Sequence, residues 1–121
     1  MKIENIKFKA KSILDGAWVQ GDLIHKEDGK IAILRNGFNV SEVDPSTVCQ
    51  FTGLKDCKGN EVWEGDIIKS PYLGNVAIVE WDDSLCGFKC VDDRRRINYS
   101  LKALVESSGW SLIGNKFDKE K

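Results

Sequence analysis

Turn-forming dipeptides recur along this chain so closely that only short elements fit between them. Asp15-Gly16, Asp28-Gly29, Asn36-Gly37, Asp44-Pro45, Lys58-Gly59 and Gly65-Asp66 punctuate the first half and the start of the second. Glycine takes left-handed dihedrals without steric cost, Asp and Asn bond their own backbone, and proline removes a donor. The runs between them alternate apolar with polar residues, the period of a strand with one buried face.

Residues 2–11 carry Ile3, Ile6, Phe8 and Ala10 among polar neighbours and read as a first strand. Asp15-Gly16 is expected to turn it in a tight hairpin with both central residues at positive φ. Residues 17–25, 30–35 and 38–43 follow as strands, the third holding the apolar run Ile31, Ala32, Ile33 and Leu34. Residues 47–51 begin the second half. Asp56, Cys57, Lys58 and Gly59 fit a type I turn with a bulge, and Val62 and Trp63 return the chain. Glu64, Gly65 and Asp66 turn it into Ile67 and Ile68, and residues 71–75 form a loop. Residues 76–81 alternate most clearly. Residues 88–91 pair next and turn at Asp92-Asp93 toward Ile97 and Tyr99. One helix is expected near 101–108: Ser100 is a good N-cap, Leu101, Leu104 and Val105 share a face, and Gly109 suits the stop.

The fold class is therefore mostly β with a minor α part. We read an antiparallel β-meander over residues 1–45 and a small SH3-like β-barrel over 46–117, with Pro45 as the seam, inside a single domain 1–121.

Charge narrows the function classes. Eighteen basic and 19 acidic residues leave a net charge of −1, interleaved throughout. Proteins that live on phosphate backbones usually concentrate positive charge, so nucleic-acid binding is disfavoured. Intrinsic disorder is excluded by four Trp and five Phe among 41% hydrophobic residues. No apolar run approaches the roughly 18 residues of a membrane span. The N-terminus has charges among its apolar residues and no small-residue cleavage site, so a cytoplasmic location is expected, with Cys49, Cys57, Cys86 and Cys90 as free thiols.

The residues allow four kinds of site to be compared. Zinc would use Cys86 and Cys90, but on a strand these lie about 13 Å apart, and Cys49 and Cys57 make no second close pair. A small buried apolar role suits them better. Nucleophilic catalysis would need a base, and His25 is the sole histidine, beside a charged turn. Asp82-Asp83 and Asp92-Asp93 read as solvated turns. No catalytic residue, metal or cofactor is expected. Nucleic acid could be met by Arg94, Arg95 and Arg96 with Tyr99 and Phe88 nearby, although Asp92 and Asp93 oppose the cluster's field. A protein interface is suggested by Trp18, Trp63, Trp81 and Trp110, more large aromatics than a core this small readily absorbs.

An ordered series of motifs spans nearly the whole chain: Ile6-Lys7-Phe8-Lys9-Ala10-Lys11, then Trp18, Gly21, Leu23 and Ile24, then Val43-Asp44-Pro45 with Thr47 and Val48. Gln50, Thr52, Gly53, Leu54 and Asp56 follow, then Gly59, Glu64-Gly65-Asp66-Ile67 and the closing Leu112-Ile113-Gly114-Asn115. In this series the chain resembles the YopX family of phage and prophage proteins. The resemblance implies a small, mainly β protein of a mobile element, assembling as a homo-oligomer with a phage or host protein partner, and it brings no catalytic residue with it. The end, Lys116-Phe117-Asp118-Lys119, departs from the proline-bearing tail of many relatives. The physical reading of Gly53, Asp56, Gly59, Glu64, Gly65 and Asp66 is as turn builders.

Overall fold

In the computed structural model, which describes residues 2–72, 74–92 and 98–118, eleven strands carry the chain. They are β1 (Phe8–Lys11), β2 (Trp18–His25), β3 (Ile31–Arg35), β4 (Asn39–Val43), β5 (Cys49–Lys55), β6 (Glu61–Trp63), β7 (Asp66–Lys69), β8 (Val76–Asp82), β9 (Gly87–Asp92), β10 (Asn98–Ser100) and β11 (Ser111–Asn115). The fold is mostly β. Two compact units divide it, Met1–Phe51 and Thr52–Lys121. The division falls inside β5, past Pro45, because the first residues of β5 complete a ladder on β1, Phe8 opposite Gln50 and Lys9 opposite Cys49.

In the first unit β2 is long enough to serve two neighbours. Residues 18–21 pair with β1 and residues 22–25 with β3, both antiparallel. The change of partner falls at Gly21, which has φ 156° and lies against β3 so closely that a Cβ there would overlap the Leu34 carbonyl oxygen. Only glycine tolerates that approach. The β2–β3 turn is a type I turn with a bulge: Gly29 N–H donates to the Lys26 carbonyl at 3.0 Å and Lys26 N–H to Lys30 at 2.9 Å. Beyond β4, Asp44 caps a 3-10 turn, Pro45–Thr47, accepting from Ser46 N–H at 3.0 Å with Pro45 in the first position. Ala10, Ile33 and Val43 form the core here, flanked by Phe8, Val19, Leu23, Ile31 and Val48.

Two expectations for this region are corrected. Residues 3–5 form a 3-10 turn, so the first strand is shorter than the apolar pattern suggests. The Asp15-Gly16 turn is wider than a two-residue hairpin. Ser12 N–H bonds Ala17 O and Gly16 N–H bonds Ser12 O, both at 2.9 Å, because Ser12 itself bridges to Val43. With Asp44 N–H on Lys11 O and Ile13 N–H on Glu42 O, the end of β1 meets the end of β4.

In the second unit the remainder of β5 turns through Asp56 to Asn60 into β6, again with the type I turn and bulge. A five-stranded sheet follows in the order β10-β9-β8-β7-β11. Alternation places Ala77 and Val79 of β8 inward, where they join Val62, Ile68, Cys90 and Trp110. Val62, Ile68 and Val79 each contribute about 1.5–3 kcal/mol on full burial. The expected helix is present over residues 101–107, wound as a π-helix at Ala103–Ser107. Leu101, Leu104 and Val105 are its buried face, the Ser100 hydroxyl accepts from Ala103 N–H at 3.4 Å, and Gly109 at φ 71° ends it.

The small barrel expected for residues 46–117 is not closed. β6 is only three residues long and pairs beside β5, so the sheet order retains two ends, β10 and β11. Both units nevertheless share one connectivity. Outward from β1 the order is β5-β1-β2-β3-β4, and outward from β7 it is β11-β7-β8-β9-β10, each with a helical turn before its last strand.

Candidate functional site

The chemistry-bearing residues of the second unit are organised by two aspartates. Asp66, 2% exposed, opens β7 immediately after the Gly65 turn. Its Oδ2 accepts from Trp63 N–H at 2.7 Å, spanning the Glu64-Gly65 turn, and its Oδ1 accepts from the Asn115 amide at 2.9 Å. Asn115 in turn accepts from Phe117 N–H at 2.8 Å. Gly65 has φ 88°, donates its N–H to Val79 O and accepts from Lys116 N–H, which fastens the turn to β8 and to the chain after β11. Glu64 sits half-buried in the same turn.

Asp56, 5% exposed, does the corresponding work at the β5–β6 turn. Its Oδ1 accepts from Lys58 and Asn60 N–H, and its Oδ2 accepts from the Asn60 amide and from Leu112 N–H of β11 at 2.9 Å. Burial raises this carboxyl's pKa, but the N–H groups of Leu112, Asn60 and Lys58 and the Asn60 amide outweigh it and hold the group below 3.8. Gly53 and Gly59 take φ 85° and 86° on either side of Asp56. In both carboxylates each oxygen accepts from a backbone or amide donor, the arrangement of a staple. The partners Leu112 and Asn115 lie 56 and 49 residues away in sequence. Only the terminal Leu112-Ile113-Gly114-Asn115 motif hints at them.

The thiols do not converge. Cys49 and Cys90 are fully buried, and burial pushes the Cys90 thiol up to about 12. Cys86 is exposed in the β8–β9 turn at φ 51°, while Cys57 is exposed in the β5–β6 turn with its Sγ 3.6 Å from Gly109 O. Among the described residues no three His, Cys, Asp or Glu side chains gather as a metal site. His25 is exposed at the end of β2. Asp82 accepts from the Ser84 hydroxyl and pairs with Lys89 at 2.9 Å, which together hold its carboxyl well below the usual range. Asp83 accepts from Trp81 Nε1 at 2.6 Å. Both belong to the hairpin turn.

Arg94, Arg95 and Arg96 lie outside the described residues, as does Asp93. The aromatics considered beside them are packed: Tyr99 and Phe88 are half-buried against the second core, with the Tyr99 ring 6.1 Å from that of Trp110. Trp63 and Trp110 are buried, Trp18 is half-buried, and Trp81 is 43% exposed with its ring edge-on to Phe88 at 5.2 Å.

Both units place large apolar side chains in solvent, the second at Tyr72, Leu85 and Ile113, the first in a group around β4. Leu14 and Phe38 are each 91% exposed, and Ile13 and Val40 each 54%. Ile13 bonds the backbone of β4 at Glu42, so Ile13 and Leu14 lie beside the strand that bears Val40, with Phe38 in the loop before it. β4 ends its sheet. This corner was not legible from hydrophobic pattern, because Val40 is as apolar as Val43 three residues on, and only the β3–β4 register shows that Val43 faces the core and Val40 faces solvent.

The family model for the YopX protein matches residues 3–120. The chain belongs to the YopX family. No curated protein matches it. Mapped on the structure, the motifs of this YopX family member are joints: Gly21 where β2 changes partner, Asp44-Pro45 at the 3-10 turn, and Asp56, Gly65, Asp66 and Asn115 in the two staples. No helix among the described residues is long and apolar enough to cross a membrane.

Proposed function

We propose that this YopX family member is a non-catalytic binding or assembly module of a phage, prophage or related mobile element, acting as a homo-oligomer in the cytoplasm. The observation that carries the reading is the exposed corner of Ile13, Leu14, Phe38 and Val40. Soluble monomers rarely leave contiguous large apolar side chains in water, and such patches mark interaction surfaces. The corner lies where residues 11–13 meet the end of β4, so its apolar side chains are held on a fixed backbone. The motif carboxylates support the non-catalytic part, since Asp56 and Asp66 spend their oxygens on backbone and amide donors. The strand order of the second unit, with a helical turn before its last strand, supports the SH3-like reading of that half.

Light scattering coupled to size exclusion tests this. A mass well above the 13.6 kDa of one chain is expected, falling to one chain in the Leu14→Asp/Phe38→Asp variant with its circular dichroism unchanged. A monomer at the highest soluble concentration, or an oligomer indifferent to both substitutions, overturns the proposal.

A further inference from the structure

The second unit holds an open cleft of about 400 Å³ between the β5–β6 turn and the outer face of β7 and β11. Lys58, Lys69 and Ser111 line it, Pro71 and Ile113 supply apolar surface, and Cys57 stands at its wall. The register explains the grouping: Ser111 lies opposite Lys69 across the β7–β11 ladder, and the bulge between Leu112 and Gly114 leaves Ile113 56% exposed. The turn above is held in place by the Asp56 bond to Leu112 N–H and, at the cleft wall, by the Cys57 contact with Gly109 O.

Its electrostatics are one-sided. No carboxylate lines the cleft, and neither Lys58 nor Lys69 has an ion pair among the described residues. The nearest acid in sequence, Asp56, directs its oxygens to four N–H groups. Two lysines and two serines lining a partly apolar hollow match an anionic head on a small apolar body, because charge-assisted hydrogen bonds orient the head while the body covers the apolar wall. The volume lies within the roughly 300–1,000 Å³ of small-molecule sites. We infer that this cleft binds a compact organic anion, a phosphate or carboxylate carried on a small apolar group, with Lys58 and Lys69 as the recognising charges. The second unit alone builds the cleft, so its failure or success is separate from that of the assembly proposal.

Cys57 supplies the readout. In the full chain carrying Cys86→Ser, the rate of Cys57 alkylation by iodoacetamide is followed by mass spectrometry at constant ionic strength. Phenyl phosphate, benzoate and the neutral benzyl alcohol serve as probes. Saturable slowing by either anion, absent with benzyl alcohol, is the expected result, and the stronger anion identifies the head group. In Lys58→Gln/Lys69→Gln the ligand concentration for half protection should rise about tenfold or more, with the thermal melt unchanged. Absence of saturable protection, equal protection by benzyl alcohol, or protection untouched in the lysine variant overturns the inference.

Discussion

A buried carboxylate such as Asp66 is stable only while its oxygens stay occupied, and here Trp63 N–H and the Asn115 amide occupy them. Asp66→Ala leaves both donors buried without an acceptor, so urea unfolding should show a loss of about 3 kcal/mol, with Asp66→Asn losing less because one acceptor remains. Asp56 makes a pH-dependent contribution. Its pKa is depressed in the folded state, so the native protein binds that proton more weakly than the unfolded chain. The stability it supplies is complete above the ordinary carboxyl value of 3.8 and is lost as pH falls through the lower folded value. Urea midpoints measured from neutral pH down into that range should therefore fall less steeply for Asp56→Asn than for the parent chain. At Gly21 the constraint is purely steric. Gly21→Ala drives a methyl group into the Leu34 carbonyl and should cost at least about 3 kcal/mol or prevent folding, read by soluble yield and thermal melt.

Elements were legible where their signals are local. The helical segment over residues 101–107 follows from Ser100 before it, Gly109 after it and an apolar face between, and the structure differs only in its π winding, with Ser108 N–H bonded to Ala103 O at 3.1 Å. Since Leu104 is 7% exposed within the core, Leu104→Ala should cost about 2–5 kcal/mol by the cavity it leaves. Ser100→Ala should cost only about 0.5 kcal/mol, the low end for a cap, because its bond is long at 3.4 Å. Comparative urea titrations of the two variants separate packing from capping. Strand alternation likewise put Ala77 and Val79 on one face, and the β8 burial pattern makes that face the inner one. The Asp15-Gly16 turn departs from its local preference because its width is set by a distant bridge, Ser12 to Val43.

At the scale of the whole molecule, charge and connectivity count for more than any single residue. With 18 basic and 19 acidic residues the chain has no bulk attraction for phosphate backbones. Fluorescent single- and double-stranded oligonucleotides titrated at moderate salt should not bind. Salt-sensitive binding that disappears in Arg94→Ala/Arg95→Ala/Arg96→Ala would instead establish a nucleic-acid module. The strand order common to the two units arises because each first strand, β1 or β7, is flanked by its own second and last strands. Closure at the β1 and β4 ends and the open order of the second sheet are properties of that pairing, and they reverse the expectation that the second half would be the closed one.

By itself the amino-acid sequence determined the strands, the turns that divide them, the capped helical segment and the family, since dihedral preference, alternation and motif order act over a few residues at a time. Tertiary structure alone decided that Asp56 and Asp66 reach β11, that β2 serves two partners through Gly21, and that Lys58 and Lys69 line one cleft. Those outcomes join residues of different strands and turns, up to 56 positions apart, and a contact made by ladder register leaves no mark on the local pattern of either partner.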